Sequence, residues 1–316
     1  MFGLLSLGAC SDNPDVIAKV EAARARNDGP PIWVVTDPAG GIGKLYIFGA
    51  VHILPEGLDW QKPDLIDVFN KSGTVFFEVA QDEASQNRAA VITARDGYYS
   101  GTRNLPDILD GYNRRRLVAA TLNSGLPDGA LDKYQPWLAA DILALAVLEK
   151  AGLTGASGAD RTLHDMAAKR GKYTQYLETI DEHLAGSAVL SPELQKADLI
   201  TTFDTLDDLP RQTQQMNAAW MSGNAAYIES DILAPLRAKA PEYYDALFTR
   251  RNERWAVTLS EFVKGGDEGL AVVGVGHMLG TGSLTEQLEA RGLRVERHYA
   301  FLGKNVIKTI PLDMGN

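Results

Sequence analysis

Cysteine is almost missing from this sequence: Cys10 is the only one among 316 residues. A single thiol excludes a disulfide within the chain and any zinc centre built from several thiolates. Positive charge is also scarce, with 31 Lys and Arg against 41 Asp and Glu and a net charge of −10. A nucleic-acid partner calls for a basic stripe that displaces counterions, and none is visible. The same balance speaks against docking on anionic lipid through protein charge. No run approaches about 18 apolar residues, so no segment reads as a transmembrane helix. With 30 Gly and 14 Pro the chain is neither collagenous nor dominated by linkers. Hydrophobic residues at 45% and charged residues at 23% are ordinary globular usage and argue against long disorder. A chain of this length holds one large α/β domain or two smaller ones.

The lone cysteine closes an apolar run, Leu4-Leu5-Ser6-Leu7-Gly8-Ala9-Cys10. Leu-Gly-Ala-Cys resembles the lipobox of bacterial lipoproteins, in which the cysteine becomes the lipidated first residue. The apolar part is short for a signal peptide and lacks a basic n-region. The alternative is a free cysteine on a frayed terminus. The lipobox reading places the protein in the bacterial cell envelope as a periplasm-facing lipoprotein. Ser11 after the cysteine favours the outer membrane over the inner. Residues 1–12 are set aside as a signal or lipobox remnant, and 13–29 read as an N-terminal helical segment. Residues 30–316 read as a single α/β domain.

Ile32-Trp33-Val34-Val35 and Leu45-Tyr46-Ile47-Phe48-Gly49-Ala50-Val51 are β-rich runs around the turn chemistry of Asp37-Pro38-Ala39-Gly40-Gly41. They predict a β-hairpin. The second run is apolar on both faces, which predicts a strand in the middle of a sheet. Residues 62–71 read as a helix and Thr74 to Val79 as another buried strand. From about 84 to 265 the pattern is mainly helical, with amphipathic stretches at 105–123, 136–151 and 241–264. Ser191-Pro192-Glu193 reads as a helix start, and Tyr173 to Leu177 is a short β-like interruption. Leu270 to Val275 returns to a buried strand, 283–291 to a helix and Arg294 to Tyr299 to a closing strand. This order predicts a central mixed β-sheet from the N- and C-terminal segments with a large helical middle layer.

Of the five histidines, two share a setting. Gly49-Ala50-Val51-His52 and Gly274-Val275-Gly276-His277 each put Gly-x-x-His at the C-terminal end of an apolar strand. In an α/β sheet those ends form the crevice where ligands bind. Glycine permits close approach of the backbone, and imidazole offers a neutral nitrogen to a metal or a proton. Glu78 ends a third strand. A buried carboxylate needs a partner, whether a metal, an arginine or a proton. Two histidines and a carboxylate from separate strands suffice for an open metal site that activates water. Both histidines also admit a reading as satisfied structural residues, and Glu78 one as a salt-bridge partner.

From Ile32 to Val295 the sequence also resembles the TraB/PrgY/GumN family, which includes the Tiki proteins. The resemblance rests on six motifs in order. They are the strand pair ending at His52, Phe77-Glu78-Val79, Gly158-Ala159-Asp160-Arg161, Leu177-Glu178-Thr179, Arg251-Asn252-Glu253-Arg254-Trp255 and Val273-Gly274-Val275-Gly276-His277-Met278. Tiki-like members are viewed as metal-dependent proteases. The resemblance therefore implies a divalent metal held by His52, His277 and Glu78, with Glu78 as ligand or as catalytic base. Arg251 and Asn252 follow as catalytic or orienting groups, a guanidinium being able to orient a carboxylate or steady an oxyanion. Asp160, Arg161 and Glu178 are secondary candidates. Each is slightly better read as a helix-end or surface ion pair, and Glu178 lacks the glycine that more often precedes the family's Leu-Glu-Thr.

Three other motifs do not hold. Gly40-Gly41-Ile42-Gly43-Lys44 has the wrong spacing for a phosphate loop and lies between strands, where such a loop must open a helix. The glycines from Gly274 to Gly280 miss the dinucleotide pattern by one residue. Arg114-Arg115-Arg116 reads as a solvated helix face. The sequence thus leads to a metal-dependent, peptidase-like hydrolase of the cell envelope. Its expected partners are a peptide or protein substrate and a membrane reached only through a lipid anchor. The alternative is a non-catalytic lipoprotein that binds a peptide or small ligand in the same cleft.

Overall fold

The structure is a computed structural model that describes residues 29–185 and 190–298. Cys10 and the helical segment expected over 13–29 lie outside the described residues, apart from Gly29. The expected hairpin forms between β1 (Ile32–Thr36) and β2 (Lys44–Ala50), paired antiparallel with Ile32 opposite Phe48. The closing strand β8 (Arg294–His298) covers the outer edge of β1. On its other side β2 runs parallel to β7 (Glu268–Gly274), and β7 to β4 (Thr74–Phe77), which pairs in turn with the edge strand β6 (Tyr173–Tyr176). The six-stranded order is β6-β4-β7-β2-β1-β8, and β1 alone runs against the rest. This is the expected mixed sheet from both ends of the chain, with one edge strand, β6, added from the helical middle. A second, two-stranded sheet pairs β3 (Leu54–Pro55) with β5 (Leu153–Thr154), a contact too short to leave a periodic signal.

The central strands are apolar on both faces because helices cover both. Leu45, Ile47, Phe48, Val75, Phe76, Leu270, Val272 and Val273 are buried in one cluster with Trp220, Trp255, Leu259 and Val263 from helices Leu209–Met221 and Arg250–Lys264. Burying one such side chain is worth about 1.5–3 kcal/mol, so this cluster is a main source of the sheet's stability. A second cluster joins Leu105, Leu117, Leu131, Leu143, Leu199 and Leu206 within the helical layer.

The helix expected over 105–123 is divided. Leu105–Ile108 is a 3-10 turn, and the α-helix begins at Gly111. The break lies at Asp110, whose carboxylate accepts the backbone N–H groups of Tyr112 and Asn113 and so starts a new helix. Ser191 caps its helix as its sequence implies. Arg116 is not a solvated residue: it turns toward the neighbouring helix and pairs with Asp204. The helical run 241–264 carries a π-turn, Asp245–Thr249, immediately before the Arg250–Lys264 helix.

Candidate functional site

Strand register brings distant residues together. Ala50 of β2 lies opposite Gly274 of β7, so the segments leaving both strands start from one level of the sheet. His52 is two residues beyond the first strand, and His277 stands in the 3-10 turn Val275–Met278 after the second. Glu78 follows β4, whose Phe77 pairs with Val272 of β7. The three side chains meet over Gly274. A methyl group built on its α-carbon would lie 2.9 Å from His52 Nε2, 3.4 Å from Glu78 Oε1 and 3.6 Å from His277 Cδ2. Only a residue without a side chain leaves this space open. His277 Nε2 is 3.9 Å from Glu78 Oε1.

Each imidazole is held from behind. His52 Nδ1 lies 3.1 Å from Asp160 Oδ1. A carboxylate only accepts, so the proton on that side of the ring belongs to Nδ1. Asp160 sits in the first turn of helix Ala159–Lys169, whose Ala159 N–H donates to Val51 O. Gly158 permits that docking, since a side chain there would meet His52 O at 2.4 Å. From the other side Gln81 Nε2 donates to Asp160 Oδ2 at 3.4 Å. Helix Leu209–Met221 also steadies this strand end, Trp220 Nε1 donating to Gly49 O and Asn217 Nδ2 to Ile53 O.

His277 is buried and lies against Trp255, with ring centroids 4.4 Å apart. Its Nδ1 is 2.7 Å from Asn252 Oδ1, and Asn252 Nδ2 donates to Gly282 O. Its Nε2 is 3.2 Å from Arg251 Nη1. A guanidinium only donates, so Nε2 accepts and Nδ1 carries the proton. Burial and the nearby guanidinium hold His277 well below the ordinary histidine range, as the neutral ring. His52 differs. Burial lowers its pKa, but Asp160 and then Glu78 outweigh burial and raise it above the ordinary value.

Arg251 is the hub. Its Nε and Nη2 donate to the two oxygens of Glu178 at 3.0 and 2.6 Å, and Nη2 also donates to Glu78 Oε2 at 2.8 Å. Nη1 donates to Leu247 O, a carbonyl of the π-turn, and to His277 Nε2. All five N–H groups are thus placed, which gives Arg251 the task of orienting carboxylates and leaves it no donor for an oxyanion. Asn252, fully buried, serves His277 in the same way. Glu78 Oε1 accepts the Gly274 N–H at 2.6 Å. Burial would raise the Glu78 pKa, but Arg251, followed by His277 and His52, holds it far below the usual carboxylate range.

The secondary candidates divide. Glu178, read from sequence as a surface ion pair, has a fully buried side chain, because β6 runs beside β4 and Glu178 N–H donates to Glu78 O. Asp160 also belongs with the cluster. Arg161 does not: it pairs with Asp165 on the surface at 3.5 Å. Sequence reasoning missed His183, whose Nδ1 lies 2.7 Å from Glu178 Oε1, and also missed Gln81. The available signal for His183 was Thr179-x-x-Glu182, a capping box that starts a helix just after Glu178 and carries His183 in its first turns.

Among the described residues one set of donors has the spacing of a cation site. Atoms of Glu78, Glu178 and His183 lie within 4.8 Å of one another. His52, Glu78 and His277 also converge over Gly274, with His52 Nε2 facing the cradle and His277 Nε2 accepting from Arg251, a bond that ligation through that nitrogen would displace; each histidine has its Nδ1 held from behind. Metal-binding histidines are typically fixed through the other ring nitrogen in this way.

A mixed sheet whose parallel strands β2, β7 and β4 lead at their C-terminal ends to two histidines and a carboxylate, fixed by buried polar partners, defines an α/β protein with its polar cluster where such folds bind ligands. A model of the TraB/PrgY/gumN family matches residues 31–297, and the chain belongs to that family. Neither a curated protein nor a solved structure matched the chain.

Proposed function

We propose that the protein is a metal-dependent hydrolase acting on peptide bonds, with its centre at His52, Glu78 and His277. The observation that carries this reading is the convergence of His52 Nε2, Glu78 Oε1 and the His277 ring over Gly274, with His277 Nε2 3.9 Å from Glu78 Oε1. Bound there, a divalent metal would polarise a carbonyl and lower the pKa of its water toward about 7. The chain's residues supply the rest. Asp160 and Asn252 fix the ring orientations of the histidines. Burial keeps His277 neutral, as a ligand must be. Glu78 stays ionised beside Arg251 and the Gly274 N–H. A carboxylate so stabilised has little driving force to take up a proton at neutral pH, which favours Glu78 as ligand over Glu78 as base. Leu7-Gly8-Ala9-Cys10 supports the further reading that the enzyme is a lipoprotein of the cell envelope.

Metal content, thermal unfolding and peptidase rate of the parent, H52A, H277A and E78Q test the proposal. Both histidine variants should stay folded and lose metal and activity. E78Q should weaken metal retention itself. Chelation should abolish turnover, and returning the metal should restore it. A parent that takes up no metal and cleaves no peptide, with both alanine variants unfolded, would give the histidines a structural role and leave a ligand-binding lipoprotein as the better reading.

A further inference from the structure

The Glu78–Glu178–His183 group has the composition of a cation site, and its centre is filled. Arg251 Nη2 lies 2.6 Å from Glu178 Oε1, 2.8 Å from Glu78 Oε2 and 3.3 Å from His183 Nδ1. Among the described residues, these three have ligand atoms within 4.8 Å of one another. We infer that Arg251 is the resident cation of this site, so that the protein's centre takes one metal ion, on the His52–His277 side of Glu78, and not two. The inference rests on the metal reading proposed above only for the ion on the His52 side.

Three physical points carry it. First, a metal bound by oxygen and nitrogen sits about 2.0–2.2 Å from its ligands, so an ion among these three residues would need the volume that Nη2 occupies. Second, Arg251 cannot easily leave. Its side chain is buried, its guanidinium lies over Trp255 at 4.7 Å, and all five N–H groups are bonded within the protein. Third, the charges favour one cation. Glu78 and Glu178 bring two negative charges and Arg251 returns one. Removing Arg251 leaves Glu78 without its arginine and Glu178 with only the half-exposed Arg254, 3.9 Å away, as an arginine partner, a destabilising state until another cation replaces the lost charge. A divalent ion meets that need, and His183 is in place as its nitrogen ligand. Glu78 is the shared wall: Oε2 faces Arg251 and Oε1 faces the Gly274 cradle. An arginine so placed gives carboxylates of a two-metal arrangement to a one-metal centre. A single ion held by His52, Glu78 and His277 would then supply the water activation.

Zn2+ alone is the probe. Full-length parent, H183A, E178Q, R251A and the double variant R251A/H183A are dialysed against it, and bound zinc per chain is read by elemental analysis alongside thermal unfolding. H183A and E178Q should hold as much zinc as the parent. R251A should hold one equivalent more than the parent and gain unfolding temperature with added Zn2+, and R251A/H183A should lose both gains. Loss from H183A or E178Q of an ion that the parent holds overturns the inference, and so does a folded R251A that takes up no extra zinc. Should R251A not fold even with zinc, H183A and E178Q still decide. H52A and H277A in the same dialysis test the proposed function separately. A zinc-free parent whose R251A variant gains an ion would sink that reading and leave this one standing.

Discussion

Gly274 shows how much a single position can determine. Its missing side chain leaves room for His52 Nε2 and Glu78 Oε1, while its N–H holds the same carboxylate. G274A keeps that N–H but places a methyl group 2.9 Å from the imidazole nitrogen. Real Cβ atoms do not come that close to a neighbour, so His52 must turn away. The expected outcome is a folded protein with near-parental unfolding temperature and activity reduced at least about 10–100-fold, the range seen when supporting groups of a metal site are disturbed. Circular dichroism, thermal unfolding and rate on the same sample check it. Glu78 gives a pH prediction. Its folded pKa is lowered from 4.5, so its stabilisation is complete above that value and is lost as pH falls below it. Asp160, lowered by His52 despite its burial, acts with the same sign. E78Q should therefore make the loss of stability below about pH 4.5 shallower than in the parent, as read from urea midpoints across that range. A parallel decline in both proteins would contradict the depressed pKa.

At the scale of the element, short helices and turns do the positioning. Helix Ile180–Ala185, described over six residues, leans on its capping box. Thr179 N–H and Oγ1 both donate to Glu182 Oε2 at 2.8 Å, and Glu182 N–H donates back to Thr179 Oγ1. The helix's first turn depends on such a cap because the opening N–H groups of a helix have no partner within it. T179A should cost about 1 kcal/mol, the usual value of a lost cap, and should loosen His183 from Glu178. Thermal unfolding gives the first effect. The His183 ring resonances give the second, and they should shift while those of His277, which is held by Asn252, stay in place. Unmoved His183 signals would show that Glu178 alone fixes the ring. The π-turn Asp245–Thr249 is a comparable device: it ends just before Arg251 and offers the Leu247 carbonyl to the guanidinium. Single π-turns inside helices recur at functional sites.

Across the whole molecule, the sheet carries the chemistry and the helical layer has a hydrophobic cluster of its own. Leu143, fully buried in helix Pro136–Lys150, packs in that second cluster, apart from the cluster that holds the central strands. L143A should lower the unfolding free energy by about 2–5 kcal/mol, the usual cost of a large-to-small change in a core. Urea unfolding measures it, and a change below about 1 kcal/mol would mean that the layer relaxes to fill the cavity.

Much of this was legible in the chain itself. Apolar runs over 45–51, 74–77 and 270–274 mark central strands, because only a strand covered on both faces has no polar side. Gly-x-x-His at the ends of two such strands placed His52 and His277 in the crevice, and Glu78 followed from the cost of an unpaired buried carboxylate. Caps such as Ser191 are local chemistry and were equally plain. Other features depended on partners far away in sequence. The depth of Glu178 is set by β6 lying beside β4, and a carboxylate beside a surface loop and one beside a buried strand have the same local sequence. His183 enters the cluster only through Glu178, and Arg161, adjacent to Asp160, faces outward because successive helical residues point in different directions. Residue types and periodicity therefore determined the sheet, its polarity and three of the converging side chains. The parallel register of β2 with β7 and the packing of Arg251 between two buried glutamates decided which groups meet, because such contacts join residues that share no local pattern.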